Sequence, residues 1–135
     1  MTEQPSLYTS SQDATEESIN WICGHMRKWR ALQMLALDVY ESGREHFGRD
    51  DLYYLAKEQG YSVSMCEFLH KRDHNLWAGL SRYLIKYHPE FDGVIWRKHS
   101  VIDDLYPTPE SLPELPREVV VNRGQWKLHR DFPGM

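Results

Sequence analysis

The feature that most constrains the fold is a helical spacing of apolar residues in the segment that begins at Ser18. Large apolar side chains recur there at intervals of three and four: Ile19, Ile22, Met26, Trp29, Leu32, Leu35, Ala36 and Val39. This spacing places them along one face of a helix, and that face must be buried against other elements. We therefore predict an amphipathic helix over residues 18–42, ended by Ser42 and Gly43.

Further helices are predicted between this helix and Pro89. Acidic residues follow Gly48 in what would be a first helical turn, and Gly60 stands just past the expected end of that helix. Ser64 and Glu67 fit a capping box, which indicates that another helix starts there. The predicted spans are 50–59, 64–71 and 74–88. The sequence leaves open whether residues 64–88 form one bent helix or two.

The pattern changes after Pro89, where apolar residues become adjacent, as is typical of strands. Four of the seven prolines lie within residues 107–116, which predicts a proline-rich acidic loop over residues 103–117. Apolar residues on both sides of Asn122, Arg123 and Gly124 indicate a terminal hairpin. The predicted strands are 94–101, 118–122 and 125–129. The expected fold class is α+β and mostly helical, with three to four helices followed by a small antiparallel sheet.

The start of the chain differs from the rest in composition. Residues 1–17 are polar and contain four acids and no base, so they bury too little apolar surface to offset the entropy of ordering. We expect a flexible acidic tail over residues 1–17 and a single globular domain over residues 18–135. The chain has no apolar run of the roughly 18 residues that a membrane span requires, so no membrane partner is expected. Two cysteines and no secretory signal favour a cytoplasmic location.

The charges are distributed unevenly along the chain. Sixteen Lys and Arg against twenty Asp and Glu give a formal net charge of −4. Acids without bases are concentrated in residues 1–18 and 103–116, so the remainder of the chain has a small excess of bases. A mildly basic core permits nucleic acid as a partner without requiring it.

The predicted order of elements resembles the winged-helix family of helix-turn-helix proteins. The resemblance covers residues 19–131 and implies that the last helix of the triad lies in the major groove while the hairpin loop touches the DNA backbone. On residues 74–88, the face opposite the apolar stripe carries small and polar side chains that suit base and phosphate contacts. The expected nucleic-acid-binding residues are Lys71, Arg72, Asn75, Gly79, Arg82, Lys86 and Arg123. This interpretation predicts a small, non-enzymatic, regulatory DNA-binding protein.

Other interpretations of the same features stay open. The polar face of residues 74–88 could simply be solvated, as most polar helix faces are. The protein could instead be an adaptor or inhibitor that docks on a larger partner through its acidic segments or through aromatic patches. Exposure of Trp21, Tyr53 or Tyr54 would favour such a protein-interaction surface. A homodimer is slightly favoured, with the long first helix as its interface.

A zinc site is the one metal centre that the spacing suggests. Cys66, His70 and His74 recur every four residues, so an unbroken helix would place all three side chains on one face. Ordinary packing of these side chains is the simpler interpretation, and no cofactor is expected. The histidines stand in no recognisable arrangement with a nucleophile or an acid, so no enzymatic activity is expected either.

Overall fold

The computed structural model describes residues 11–71 and 74–120, without the side chains of His74 and Asn75. This part of the chain is helical, and its α-helices are α1 (Ser11–Gly24), α2 (Met26–Glu41), α3 (Arg49–Glu58), α4 (Val63–His70), α5 (His74–Tyr87) and α6 (Ile102–Leu105). Short 3-10 turns cover Pro89–Phe91, Pro109–Ser111 and Arg117–Val119. Among these described helices, none has the length and apolar character that crossing a membrane requires.

Helix α2 forms the centre of the core because it is buried around most of its circumference. Every residue from Ala31 to Leu37 is buried. Gln33 is polar and lies within this run. Its amide donates to the Trp29 carbonyl at 3.3 Å, and its Oε1 lies 2.9 Å from Nε2 of His88. These hydrogen bonds offset the cost of burying the amide and tie α2 to the residue that follows α5.

The predicted helix over residues 18–42 is two helices, separated at His25. The backbone of His25 leaves the helical region, with φ −137° and ψ 53°. Its Nδ1 lies 2.9 Å from the Trp21 carbonyl oxygen, and its N–H bonds to Ile22 instead of Trp21. The His25 side chain thus bonds to the Trp21 carbonyl, which in a continuous helix would accept from the backbone N–H of His25.

The predicted tail over residues 1–17 is wrong for its second part, because α1 begins at Ser11. Ala14, Thr15 and Ser18 are buried there. The hydroxyls of Thr15 and Ser18 donate to carbonyls of their own helix, at 2.7 and 3.1 Å, and so enter the interior with their hydrogen bonds made. Small side chains of this kind let α1 pack closely on α5. Residues 1–10 lie outside the described part.

The predicted antiparallel sheet is not formed by the described residues, so the expected α+β fold class is wrong for this part of the chain. The segment 94–101 makes a single parallel bridge, between Phe47 and Ile95. The next residue after Phe47, Gly48, is the N-cap of α3. Residues 117–119 of the expected hairpin form a 3-10 turn, and residues 121–129 lie outside the described part.

The proline-rich segment, residues 103–117, lies across α5 instead of extending into solvent as a loop. It begins within α6, which packs on α1. Leu112 and Leu115 are buried, and the hydroxyl of Tyr83 donates to the Pro113 carbonyl at 2.9 Å. Buried leucines and an internal hydrogen bond therefore hold this segment on the outer side of α5.

Helices α3 and α4 are joined by a tight turn over residues 59–62. Gly60 occupies the left-handed region there, with φ +78°, which a residue with a side chain adopts at a cost. The hydroxyl of Ser62 accepts from the Met65 N–H at 3.1 Å and caps α4. The cap is thus Ser62, two residues before the predicted one. Residues 64–88 form two helices, and Lys71 after α4 is extended.

The contact between α1 and α5 gives a stability prediction at Gly79. A Cβ atom there would lie 1.7 Å from Oγ of Ser18 and 2.7 Å from its Cβ. Gly79→Ala is expected to lower the free energy of unfolding by about 2 kcal/mol, because the added methyl overpacks the interface. The control is Gly24→Ala, where nothing lies within 4 Å and no loss is expected. Urea unfolding measures both, and equal stability of the two variants would contradict the packing described.

Candidate functional site

The DNA-contacting surface predicted on α5 faces the interior of the protein. Arg82 is 3% exposed. Its Nε and Nη2 donate to the two carboxylate oxygens of Asp103, both at 2.8 Å. The guanidinium also donates to the carbonyls of Ala78 and Lys98, at 3.0 and 2.9 Å. Arg82 is therefore fully engaged inside the molecule and cannot pair with a guanine.

Lys86 and Gly79 are also covered. The Lys86 side chain is 7% exposed, and its Nζ lies 3.1 Å from Oε2 of Glu114. The same ammonium donates to the Glu110 carbonyl at 3.1 Å, and Gly79 packs on Ser18 of α1. The predicted surface is wrong at Lys86 because an acid of the proline-rich segment pairs with this lysine. It is wrong at Gly79 because α1 covers that residue.

Lys71, the other member of the predicted surface whose side chain is described, is exposed just after the end of α4. Arg72, Arg123 and the side chain of Asn75 lie outside the described part of the chain.

The charges beneath the proline-rich segment alter the acidity of their partners. Hydrogen bonding from Arg82 lowers the pKa of Asp103 below its usual value, although partial burial opposes the effect. Hydrogen bonding from Lys86 likewise lowers the pKa of Glu114. Burial raises the pKa of Tyr83 and Tyr87. Asp103 and Glu114 are therefore ionised at neutral pH, and as anions they hold the proline-rich segment on Arg82 and Lys86.

A second polar face, on α4, is open to solvent. A four-residue turn joins α3 to α4 and contains Gly60 in the left-handed region. Val63 is 72% exposed. Ser64 and Glu67 are exposed on the same helix. In the sequence, Gly60 between two short predicted helices marks the turn between α3 and α4. The winged-helix resemblance instead assigned the DNA contacts to residues 74–88.

A continuous stack of side chains fixes the position of α4. Trp21 of α1 stacks on His25 and on Phe68, with centroid distances of 4.9 and 4.7 Å. Arg49 of α3 lies over Phe68 and over Trp77 of α5, with its Cζ 5.2 and 5.8 Å from the ring centroids. Its Nη2 also donates to the Phe68 carbonyl at 2.6 Å, near the negative end of α4. Side chains from three other helices, α1, α3 and α5, thus meet around Phe68 of α4.

A groove of about 920 Å³ runs beside α4. The side chains that line it come from α1 to α4 and the turn between α3 and α4: Trp21, Lys28, Tyr53, Lys57, Tyr61, Val63, Ser64, Cys66, Glu67, Phe68, His70 and Lys71. A smaller cleft of about 290 Å³ adjoins it, with Lys28 and Ser64 in common and Arg27 at its edge. Aromatic walls and basic residues therefore lie side by side.

We define the α4 surface as seven of the side chains that line these two depressions: Arg27, Lys28, Lys57, Val63, Ser64, Glu67 and Lys71. It contains four bases and one acid, in a chain whose formal net charge is −4. The local charge is thus opposite in sign to that of the whole chain, which is the charge pattern of a surface for an anionic partner.

The structure does not form the helix on which the predicted zinc site depends. Helix α4 ends at His70 and a new helix begins at His74, so the three positions do not share one unbroken face. The Sγ of Cys66 lies 3.8 Å from the Tyr61 carbonyl, and His70 packs on Tyr53. Among the residues whose side chains are described, no group of three His, Cys, Asp or Glu side chains could hold a metal ion.

The pair of Asp103 and Arg82 gives a prediction on pH dependence. Because the pKa of Asp103 is lowered on folding, its stabilising contribution is present above the unfolded-state pKa and is lost as the pH falls through the folded-state pKa. Asp103→Asn is expected to reduce the free energy of unfolding by about 2 kcal/mol near neutral pH. The difference from the wild type should shrink as the pH is lowered toward about 3.

The matched control is Asp104→Asn, because the neighbouring Asp104 side chain is 63% exposed. This variant should retain nearly the full stability of the wild type at every pH, since exposed charges contribute little. Thermal unfolding followed by circular dichroism measures all three proteins. Equal effects of the two substitutions at neutral pH would show that Asp103 is not held as described.

Comparisons with known proteins give no further guide to this site. No protein-family model matches the chain, and no match to it was found among curated proteins or solved structures.

Proposed function

We propose that this protein binds duplex DNA through the α4 surface, with α3 and α4 acting as a helix-turn-helix unit. One observation carries the proposal: α4 follows α3 through a four-residue turn with Gly60 in the left-handed region, and its exposed face is bordered by four bases. In helix-turn-helix proteins a short turn, which often contains glycine, joins two helices, and the second of them lies in the major groove.

The chemistry of the α4 surface fits a division between base and phosphate contacts. Val63, Ser64 and Glu67 lie on the exposed side of α4. An apolar side chain suits the methyl group of thymine, a hydroxyl suits several base edges, and a carboxylate accepts from the amino group of cytosine. The four basic side chains of the α4 surface suit contacts with phosphates. Phosphate contacts set the position of the protein on the duplex but carry no sequence information. Binding of this kind requires no catalytic group.

A second candidate function, a protein-interaction module, has its own observation. Tyr54 is 67% exposed beside Tyr53, and aromatic side chains line the groove along α4. Exposed aromatic side chains next to basic residues are common anchors of protein interfaces. The adaptor or inhibitor interpretation would place a partner protein against these aromatic side chains.

The DNA-binding proposal predicts where substitutions weaken binding. A labelled, mixed-sequence duplex should bind the wild-type protein at low salt, and the affinity should fall as salt is added. The double variant Lys28→Ala with Lys57→Ala should bind about tenfold more weakly at low salt, because two phosphate contacts are lost. Its slope of log affinity against log salt should be smaller by about 2. Fluorescence anisotropy titrations at several salt concentrations give both quantities.

Lys86→Met serves as the control that separates the two possible surfaces. Lys86 was expected to contact phosphate, but it is paired with Glu114 beneath the proline-rich segment, so its loss should leave the affinity unchanged. Arg117→Ala removes an exposed base outside α2, α3 and α4 and should also have little effect. The absence of any duplex binding by the folded wild type at low salt would contradict the proposal. A loss with Lys86→Met but none with the double variant would assign binding to α5 instead.

A further inference from the structure

The groove along α4 offers more than a duplex requires. Its walls contain Trp21, Tyr53, Tyr61 and Phe68, of which Trp21 and Phe68 stand on different helices. A straight duplex presents phosphates and base edges to a protein, and it has no apolar group large enough to fill such a groove. The aromatic walls therefore point to an occupant with apolar side chains.

We propose that this groove binds an acidic peptide segment of a partner protein, which inserts apolar side chains between the aromatic walls and places its carboxylates on the lysines. Only the consequence of this docking for DNA rests on the function proposed above. The docking itself is argued from the groove alone.

The charges of the groove select an acidic segment. Lys28, Lys57 and Lys71 line it, with Glu67 as the acid among the lining residues. Lys57 and Lys71 are exposed, so carboxylates of a partner can reach them without displacing an internal acid. Complementary charge of this kind favours encounter with the partner and discriminates against basic segments.

The arrangement of the aromatic rings favours peptide side chains over unpaired bases. Trp21 already stacks on two rings, His25 and Phe68, and Arg49 lies over Phe68. The ring centroid of Tyr53 lies 4.9 Å from that of His70 and 5.5 Å from Nζ of Lys57. A nucleobase needs an open aromatic face to stack on. Rings whose faces are occupied within the protein still offer their edges, which suit leucine, methionine or phenylalanine side chains.

The same contacts prepare the groove for binding. Side chains that are held by stacking lose little conformational freedom when a ligand arrives, and this raises affinity. An amphipathic helix or an extended segment would reach the walls with a few apolar residues, as in other helix-in-groove and strand complexes.

Docking of this segment and binding of DNA exclude each other, because they use the same side chains. Lys28, Lys57 and Lys71 belong both to the groove and to the α4 surface. A partner that occupies the lysines removes the positive charge to which phosphates bind. The acidic segment thus acts as a competitor of DNA.

Selection from a displayed library of random dodecapeptides on the full-length protein tests the proposal. The selected sequences should be rich in Asp and Glu and should contain aromatic or large aliphatic residues. The best of them, synthesised with a fluorescent label, is then titrated with the wild type, with Lys28→Glu plus Lys57→Glu, and with the control Arg117→Glu. The charge-reversed double variant should bind at least about tenfold more weakly, whereas the control should match the wild type within about twofold.

A Tyr53→Ala variant separates apolar from purely electrostatic docking. It removes no lysine, although Lys57 loses its contact with the Tyr53 ring, and it should weaken the peptide by at least about fivefold because one aromatic wall is lost. Circular dichroism spectra of all variants establish that they are folded before their affinities are compared.

Several results would overturn the proposal. These are the failure to select any peptide, the selection of peptides without acidic residues, and equal affinity of the charge-reversed variant. Two results would assign the groove to another occupant. One is binding of a single-stranded oligothymidylate in place of the peptide. The other is docking of a second copy of the chain, which sedimentation velocity would detect as a dimer.

The two proposals fail separately. Peptide binding without any duplex binding would refute the DNA-binding function and leave the groove assignment intact. Duplex binding that the selected peptide does not displace would refute the competition.

Discussion

The buried guanidinium of Arg82 determines which charges of this protein reach solvent. It bonds to both carboxylate oxygens of Asp103 and to the carbonyls of Ala78 and Lys98. A charge at that depth is tolerated only when its hydrogen bonds are made, so the residues near Asp103 must lie against α5. The proline-rich segment that follows brings Glu114 to Lys86. The two basic side chains of α5, Arg82 and Lys86, are thereby paired with acids of the same chain. Among the described residues, an exposed excess of basic side chains is found on the α4 surface.

The α4 surface depends on a second set of contacts, which hold a short helix in a definite place. Eight residues make few hydrogen bonds of their own, and a helix of that length needs tertiary support. Phe68 provides it by stacking on Trp21, and Arg49 adds a hydrogen bond to the Phe68 carbonyl. The same aromatic rings form the walls of the groove. Support of α4 and the walls of the groove thus come from the same aromatic rings.

The comparison between sequence and structure separates local from distant interactions. The predicted spans 50–59, 64–71 and 74–88 lie within one residue of α3, α4 and α5, because capping residues and acidic first turns act between near neighbours. The break at His25 was missed, since it follows from one side chain bonding to a carbonyl of its own helix. The polar composition of residues 1–17 predicts a tail, whereas Thr15 and Ser18 at the start of α1 donate their hydroxyls to carbonyls of their own helix. The candidate site on α5 failed for a different reason: Asp103 lies 21 positions after Arg82, and no local pattern predicts that pairing.

We propose that the α4 surface, and not the covered face of α5, binds the partner of this protein. Backbone amide chemical shifts recorded while a short mixed-sequence duplex is added test this claim most directly. We expect the largest changes at Arg27 and Lys28 and along residues 57–71, with small changes in α5 and the proline-rich segment. Changes concentrated around Arg82, Lys86 and residues 103–117 would contradict the account, because they would show that the segment leaves α5 and exposes the bases beneath it.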